Sequence, residues 1–352
     1  MTVSVAGRTG PEISRAGLWA LLVVVAPGVL WGCGPDGPPA PFVEFAVPPG
    51  ASFSQITDTL VARDLVTRPG LFRAYARVRG DDRGVRSGRY RVAEGIRWGA
   101  LLDTLVEGRV VTESVTIPEG FTVRQMVPRL AAISGEDPEE VAERLQAEGV
   151  EERWGVPGPG LEGYLFPDTY RFAAGIPLDS VIRVMVDRYR SLWTPERTAR
   201  REELGMSERE VMTLASIIQG EARRTEEMPV ISAVFHNRLR IGYLLQADPT
   251  VQYALGERRR RLLYADIDAV ADHPYNTYTQ RGLPPGPIGA PGEAALDAAL
   301  DPADVDYLYF VARPDGTHIF TRSLAEHNRA RVEARRQWDE LERREREGRG
   351  SP

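Results

Sequence analysis

The chain has 352 residues, enough for about two domains with terminal extras. Hydrophobic residues make up 42% and charged residues 27%, a balance that excludes a disordered or fully membrane-embedded chain. The net charge of -6 gives no reason to expect a nucleic-acid partner, and the 44 basic residues are all arginine, so Schiff-base and P-loop lysine chemistry drop out.

At the N-terminus, Arg8 and Arg15 precede an uncharged stretch from Ala16 to Pro35 with an apolar centre over Leu18 to Trp31. This is the pattern of an export signal or a membrane anchor. As a helix the centre would span roughly 21 Å, short of the ~30 Å hydrocarbon core. Leu30-Trp31-Gly32-Cys33 resembles a lipoprotein cleavage box, with Trp31 bulky for its place. Two readings stay open: lipidation at Cys33, or an uncleaved anchor that contains it. Either one exports everything after residue 36. Cys33 is also the sole cysteine, which excludes an intramolecular disulfide and a cysteine-rich zinc site. Residues 1–33 are therefore assigned to a signal or anchor segment, and the proline- and glycine-rich residues 34–41 to a linker.

A degenerate repeat follows. Val47-Pro48-Pro49-Gly50, Val92-Ala93-Glu94-Gly95 and Ile117-Pro118-Glu119-Gly120 align. After each glycine, apolar residues recur at Phe53, Ile56 and Leu60, at Trp98, Leu101 and Leu105, and at Val123, Met126 and Leu130. Each unit predicts a strand, a glycine turn and a short helix. Residues 42–134 are expected to form a small α+β module. Residues 135–335 are expected to form a second, mixed α+β domain, entered through Pro157-Gly158-Pro159-Gly160. Near its end a hairpin is predicted from Tyr307 to Thr321 across Pro314-Asp315-Gly316. The capping box Ser323 to Glu326 then starts a last helix, which runs into a charged helical tail over 336–352.

Four segments carry candidate chemistry. In Ser207 to Ala222, SEREVMTLASIIQGEA, Ser207 and Glu210 form a capping box. On a helix, Val211, Leu214, Ile218 and Glu221 fall within a stripe of about 80°, which turns Glu221 toward the buried side. Partial burial raises a carboxyl pKa, as a proton donor to a glycosidic oxygen requires. The competing reading pairs Glu221 with Arg223 or Arg224 at a frayed helix end.

The second segment, Glu162 to Tyr170, reads EGYLFPDTY. Glu162, Tyr164 and Asp168 there suit a sugar site that stacks rings on pyranose faces and binds hydroxyls with carboxylates. The same composition also fits an aromatic turn packed as core. In the third, Gln246 interrupts an apolar run, and Asp248 before Pro249 is either a helix cap or a ligand. The fourth is the long proline-rich loop from Pro274 to Gly292, where Asn276 and Tyr278 are candidates to face a substrate. No nucleophile elbow, HExxH, Walker or dinucleotide motif is present, and His236, His273, His318 and His327 lack metal-ligand spacing. No metal and no cofactor are expected.

Taken together and in order, EGYLFPDTY, ASIIQGEA, the NRL to LQADPT run, PYNTY with GLPPGPI, YLYFVA and DGTHIF give residues 42–335 a resemblance to the endolytic murein transglycosylases, the YceG-like family. The resemblance implies a LysM-like region ahead of the catalytic domain, with Glu221 as the catalytic acid and then base. Glu162, Tyr164, Asp168, Gln246, Asp248, Asn276 and Tyr278 are then the candidates to bind the glycan. Gln219 stands where many relatives have a second glutamate, and Tyr243 where many have methionine. The implied reaction cuts the MurNAc–GlcNAc bond inside peptidoglycan strands, leaves 1,6-anhydro-MurNAc ends and stops nascent strands from growing. The implied setting is the extracytoplasmic face of the cytoplasmic membrane, with peptidoglycan strands as substrate and peptidoglycan synthases as partners. Two alternatives remain open: a hydrolase using Glu162, Asp168 or Asp248 as a second carboxylate, and a non-catalytic cell-wall scaffold.

Overall fold

The computed structural model describes residues 41–259 and 262–349; the expected anchor, Cys33 and the linker up to residue 40 lie outside the described residues. Among the described residues no helix is long and apolar enough to cross a membrane.

The repeat folds as its pattern predicts. Its first unit is β1 (Phe42–Val47), a turn at Gly50 and α1 (Phe53–Ala62), where Ser52 and Gln55 close a capping box. An additional helix, α2 (Pro69–Arg79), has no counterpart in the repeat. The second unit is β2 (Gly88–Ala93) and α3 (Trp98–Glu107). β1 and β2 run antiparallel with Phe45 opposite Tyr90. Strand alternation turns Phe45, Val47, Tyr90 and Val92 inward, against Ile56, Leu60, Phe72, Leu101 and Leu105.

The third unit, β3 (Thr112–Thr116) and α4 (Val123–Ser134), has the expected form but a different home. β3 pairs antiparallel with β4 (Thr169–Ala173), immediately after the EGYLFPD stretch, and not with β1 or β2. The buried face of α4, with Val123, Met126 and Leu130, shares a core with Tyr164, Tyr170, Met185 and Leu214. The sequence puts the module boundary near residue 134, whereas the two apolar cores divide near residue 110. Local pattern fixes the unit, but the strand partner decides which core it joins.

The remaining elements are α5 (Pro138–Leu145), α6 (Val150–Trp154), α7 (Leu178–Ser191), α8 (Pro195–Glu203) and α9 (Glu208–Glu221). They continue through α10 (Met228–Arg240), α11 (Asp248–Leu255), α12 (Tyr264–Ala269) and α13 (Glu293–Leu300). The hairpin β5 (Tyr309–Ala312) and β6 (His318–Thr321) precedes α14 (Leu324–Arg349). The fold is thus mixed α+β, with small sheets and many helices. At its centre lies α9, buried at every position from Val211 to Ile218 rather than along one stripe. Its polar residues are satisfied inside the helix, Thr213 Oγ1 donating to the Arg209 carbonyl and Ser216 Oγ to the Thr213 carbonyl, both at 2.7 Å. The hairpin is anchored next to the end of α9, because the backbone N–H of His318 donates to Glu227 Oε1 at 3.0 Å.

Truncating Leu130 to alanine is expected to cost about 2–5 kcal/mol. In native-state hydrogen exchange the variant should loosen α4 together with α7 and α9. Coordinated opening of α4 with α1 and α3 instead would return the third unit to the first core.

Candidate active site

The site begins with a close approach. A Cβ added to Gly220 would lie 2.8 Å from Pro249 Cβ and 2.9 Å from its Cγ. Only glycine therefore lets the last turn of α9 rest on the first turn of α11. The contact delivers Glu221 to the N-terminus of α11, where the backbone N–H of Asp248 lies near its carboxyl group and favours the charged form. Glu221 is half-buried. Burial pushes its pKa up to about 8, with the nearby Asp248 charge acting in the same direction and Arg238 opposing. The group therefore holds its proton at neutral pH. Arg223 and Arg224 are engaged elsewhere: Arg224 Nη2 donates to the Asp315 carbonyl at 2.9 Å, and the Arg223 guanidinium sits 6.0 Å from the Trp338 ring centre. The frayed ion pair is not what forms.

α11 begins at Asp248, but Ala247 is its N-cap, so Asp248 stands in the first turn and is not the cap that the Asp-Pro signal suggests. Its carboxylate instead accepts the hydroxyl of Tyr278. Two backbone segments are sewn together to achieve this. The N–H of Gln246 donates to the Thr277 carbonyl and that of Ala247 to Thr277 Oγ1, each at 3.0 Å, while the buried Thr250 and Thr277 hydroxyls meet at 2.9 Å. Gln246 pays for its place with a φ of +47°, a left-handed conformation uncommon outside glycine, and its side chain is exposed. Glu221, Asp248 and Tyr278 thus converge, and Gln246 lies two residues from Asp248 on the same exposed edge.

Other expected site residues serve different ends. Asn276 is fully buried, with Nδ2 donating to the Ile267 and Val270 carbonyls at 3.0 Å and Oδ1 accepting the Tyr278 N–H at 3.0 Å. Its polar atoms are committed to the loop, so it shapes the approach of Tyr278 and does not face a ligand. Tyr164 is also fully buried, its hydroxyl on the Gly158 carbonyl at 2.9 Å and its ring edge-on to Tyr189. For this residue the core reading of the aromatic turn is the one realised. Asp168 is exposed and accepts Arg188 Nε at 3.1 Å, so it is not brought to Glu221. Glu162 caps another helix: its carboxyl accepts the Val123 N–H at the start of α4 at 3.0 Å and bonds Tyr253 on α11. Burial pushes it, too, up to about 8.

One residue escaped assignment from the sequence. Arg238 is buried, its Nε donating to the Leu308 carbonyl at 2.7 Å and its Nη1 to that of Leu245, with its guanidinium about 5.5 Å from the rings of Tyr243 and Tyr309. It supplies the positive charge that Glu221 and Tyr278 feel. A signal for it exists, because Ile231, Val234, Phe235 and Arg238 recur at the spacing of one buried helical face. The proline-rich loop is pinned to α9 by Ile288 N–H on Ser216 Oγ at 3.0 Å and Gly292 N–H on Gln219 Oε1 at 2.9 Å. A glutamate at position 219 could accept the same bond. A cavity of about 310 Å³ beside Trp154 and Arg183 includes none of these residues.

A family model described as YceG-like matches residues 45–333. The chain belongs to the YceG-like family. It is 32% identical over 305 residues to the endolytic murein transglycosylase of Bacillus subtilis, covering 82% of this chain and 84% of that one. The endolytic murein transglycosylase of Streptococcus pneumoniae serotype 2 is 28% identical over 82% of this chain, which spans only 57% of that relative. A crystal structure of a YceG-like protein from Listeria monocytogenes is similar with a TM-score of 0.57 at 30% identity, covering 82% of this chain and 98% of that one.

Two substitutions probe this geometry. Gly220→Ala should destabilise the protein by about 1–3 kcal/mol through overpacking against Pro249. It should also lower the Glu221 pKa as the helix end swings toward water, which side-chain NMR titration would detect. An unmoved titration would refute the role given to the contact. Glu162→Gln tests the second acid. Native Glu162 keeps its proton up to about pH 8, whereas in the unfolded chain it ionises near the ordinary carboxylate value. The unfolded state then binds fewer protons, so this group makes stability fall as pH rises between those values. The glutamine variant should show a flatter decline of melting temperature over that window, and an unchanged slope would count against a raised pKa.

Proposed function

We propose that this chain is an endolytic lytic transglycosylase that cuts the MurNAc–GlcNAc bond within peptidoglycan strands. The observation that carries the reading is a half-buried Glu221, its pKa raised by burial, held beside Asp248 and Tyr278, in a chain of the YceG-like family whose relatives bear that name. Glu221 donates its proton to the oxygen that leaves with GlcNAc, and the bond from MurNAc C1 to that oxygen breaks. The C6 hydroxyl of the same MurNAc then closes on C1, and the Glu221 carboxylate takes the hydroxyl proton. No water enters. Because the nucleophile is already tethered, one carboxyl group can serve both steps, and the protein's contribution is to hold the ring in a reactive geometry. Asp248, kept oriented by the Tyr278 hydroxyl, supplies negative charge next to the developing positive charge at C1. Gln246, on the exposed edge before Asp248, is the candidate for contact with sugar hydroxyls.

In this reading residues 1–33 anchor the chain in the cytoplasmic membrane, by a lipid on Cys33 or by an uncleaved segment, and the enzyme works on the extracytoplasmic face. On the same reading the LysM-like part is the β1 to α3 portion of the expected 42–134 module, and cleavage on the extracytoplasmic face ends the growth of strands made by peptidoglycan synthases.

Glu221→Gln should lower the rate of strand cleavage by about 10²- to 10⁴-fold, the usual contribution of a general acid, while leaving binding of intact strands in place. Retention of full cleavage would remove Glu221 from the mechanism. Since the acid form is the active one, kcat/KM should hold below and fall as pH rises through about 8. Mass spectrometry of the products should show ends lighter by one water, ~18 Da, than hydrolytic ends. Reducing ends would establish a hydrolase that uses a second carboxylate, and no cleavage by the wild type would favour the scaffold.

A further inference from the structure

The exposed apolar surface of this protein is unevenly distributed. Of the twelve large hydrophobic residues exposed among the described residues, five fall between Phe42 and Val78. Three of them, Leu71 at 56% exposure, Tyr75 at 39% and Val78 at 88%, lie on α2. Their spacing of i, i+4 and i+7 puts them within about 60° of one another on the helix. Phe72 and Ala76, on the adjoining face, are buried in the first core. Among the described residues the stripe is therefore a second, largely uncovered apolar face, with Tyr75 partly covered by Trp98 and Arg79, and α2 is the element the repeat does not require.

Charge is distributed just as unevenly. Residues 42–110 hold eleven arginines against eight Asp and Glu, a net of +3, whereas residues 111–352 hold 31 against 40, a net of -9. α2 contains no acidic residue. By helical angle Arg68, its N-cap, flanks the stripe, and Arg97 directly precedes Trp98, whose ring lies 6.3 Å from that of Tyr75. Both arginines are exposed, and neither has a carboxylate partner among the described residues. An apolar stripe edged by aromatic rings and unpaired arginines fits the boundary between lipid headgroups and acyl chains.

The sequence also brings a lipid surface within reach. The stretch assigned to the anchor ends at Cys33, and the eight residues from Gly34 to Pro41 can extend at most about 25 Å in polyproline geometry before β1 begins. We propose that the exposed face of α2, through Leu71, Tyr75 and Val78 with Arg68 and Arg97 beside them, docks on the anionic surface of the membrane that holds the N-terminus. The inference deepens the reading given above, since it rests on residues 1–33 being membrane-bound. It adds a second point of attachment, which would hold the first core against the bilayer.

The test uses the full chain in lipid nanodiscs carrying nitroxide-labelled lipid. A fluorophore is placed at Val78→Cys or, as control, at Val184→Cys, an exposed position on α7; any label on Cys33 is common to both. In discs containing phosphatidylglycerol, emission from position 78 should be quenched several-fold more than emission from position 184. Pairing Leu71→Asp with Tyr75→Asp should abolish the difference, and pure phosphatidylcholine discs or high salt should weaken it. Equal quenching at the two positions would overturn the proposal. So would shielding of position 78 from an aqueous quencher in detergent, if it arises on adding glycan strands or on raising protein concentration, because polysaccharide or a second copy would then be the occupant. A chain that fails to enter the discs at all would refute the anchor first and this proposal with it, an outcome distinct from entry without contact at α2.

Discussion

Gly220 rests against Pro249 with no room for a side chain, and the candidate site depends on that contact. It makes two helix ends share one point in space, the C-terminus of α9 and the N-terminus of α11. A carboxyl group carried at the end of a buried apolar helix would ordinarily turn out into water. Here it is met by the N–H that opens the next helix and by the Asp248 charge, in surroundings dry enough to keep its proton. The opposing influences are of comparable kind: the N–H and Arg238 favour the charged form, while burial and Asp248 favour the neutral one. The balance falls on the neutral side because burial is the largest of them.

The surrounding fold protects this balance by fixing the elements that approach it. The proline-rich loop has little regular structure of its own, yet Asn276 fills its interior and Thr277 ties its backbone to the residues before α11. Ser216 and Gln219 fasten its far end to α9. Side-chain hydrogen bonds thereby do for the loop what a sheet would do for a strand, and Tyr278 is delivered to Asp248 with few ways to rotate away. Arg238 plays the matching part from below, as a cation held by two carbonyls and two aromatic rings.

The third repeat unit shows how architecture reassigns a local pattern. β3 and α4 look like their two predecessors in sequence, but pairing with β4 draws them into the larger core. Their glycine turn then becomes part of the site's walls: Gly120 N–H donates to the Ala290 carbonyl at 2.7 Å, and Glu162 caps α4 while reaching Tyr253 on α11. The first two units keep a separate core and a separate electrostatic character.

Much of this was written in the order of residues. Periodicity gave the three strand-turn-helix units, the capping boxes gave the starts of α9 and α14, and the Asp-Pro step gave the start of α11, because each depends on contacts within a few residues. The same local logic turned Glu221 toward the interior. Sequence could not say which polar residues would be consumed by the fold. Asn276 and Tyr164 have the chemistry of ligand contacts, but carbonyls six to nine residues away satisfy them in the interior, and Asp168 is taken by Arg188. Nor could it say that Asp248 would accept a tyrosine hydroxyl instead of capping its own helix. The Arg188 and Tyr278 contacts join groups 20 and 30 residues apart, and the burial of Asn276 and Tyr164 depends on what packs over their loops, so these outcomes are settled only when the helices pack.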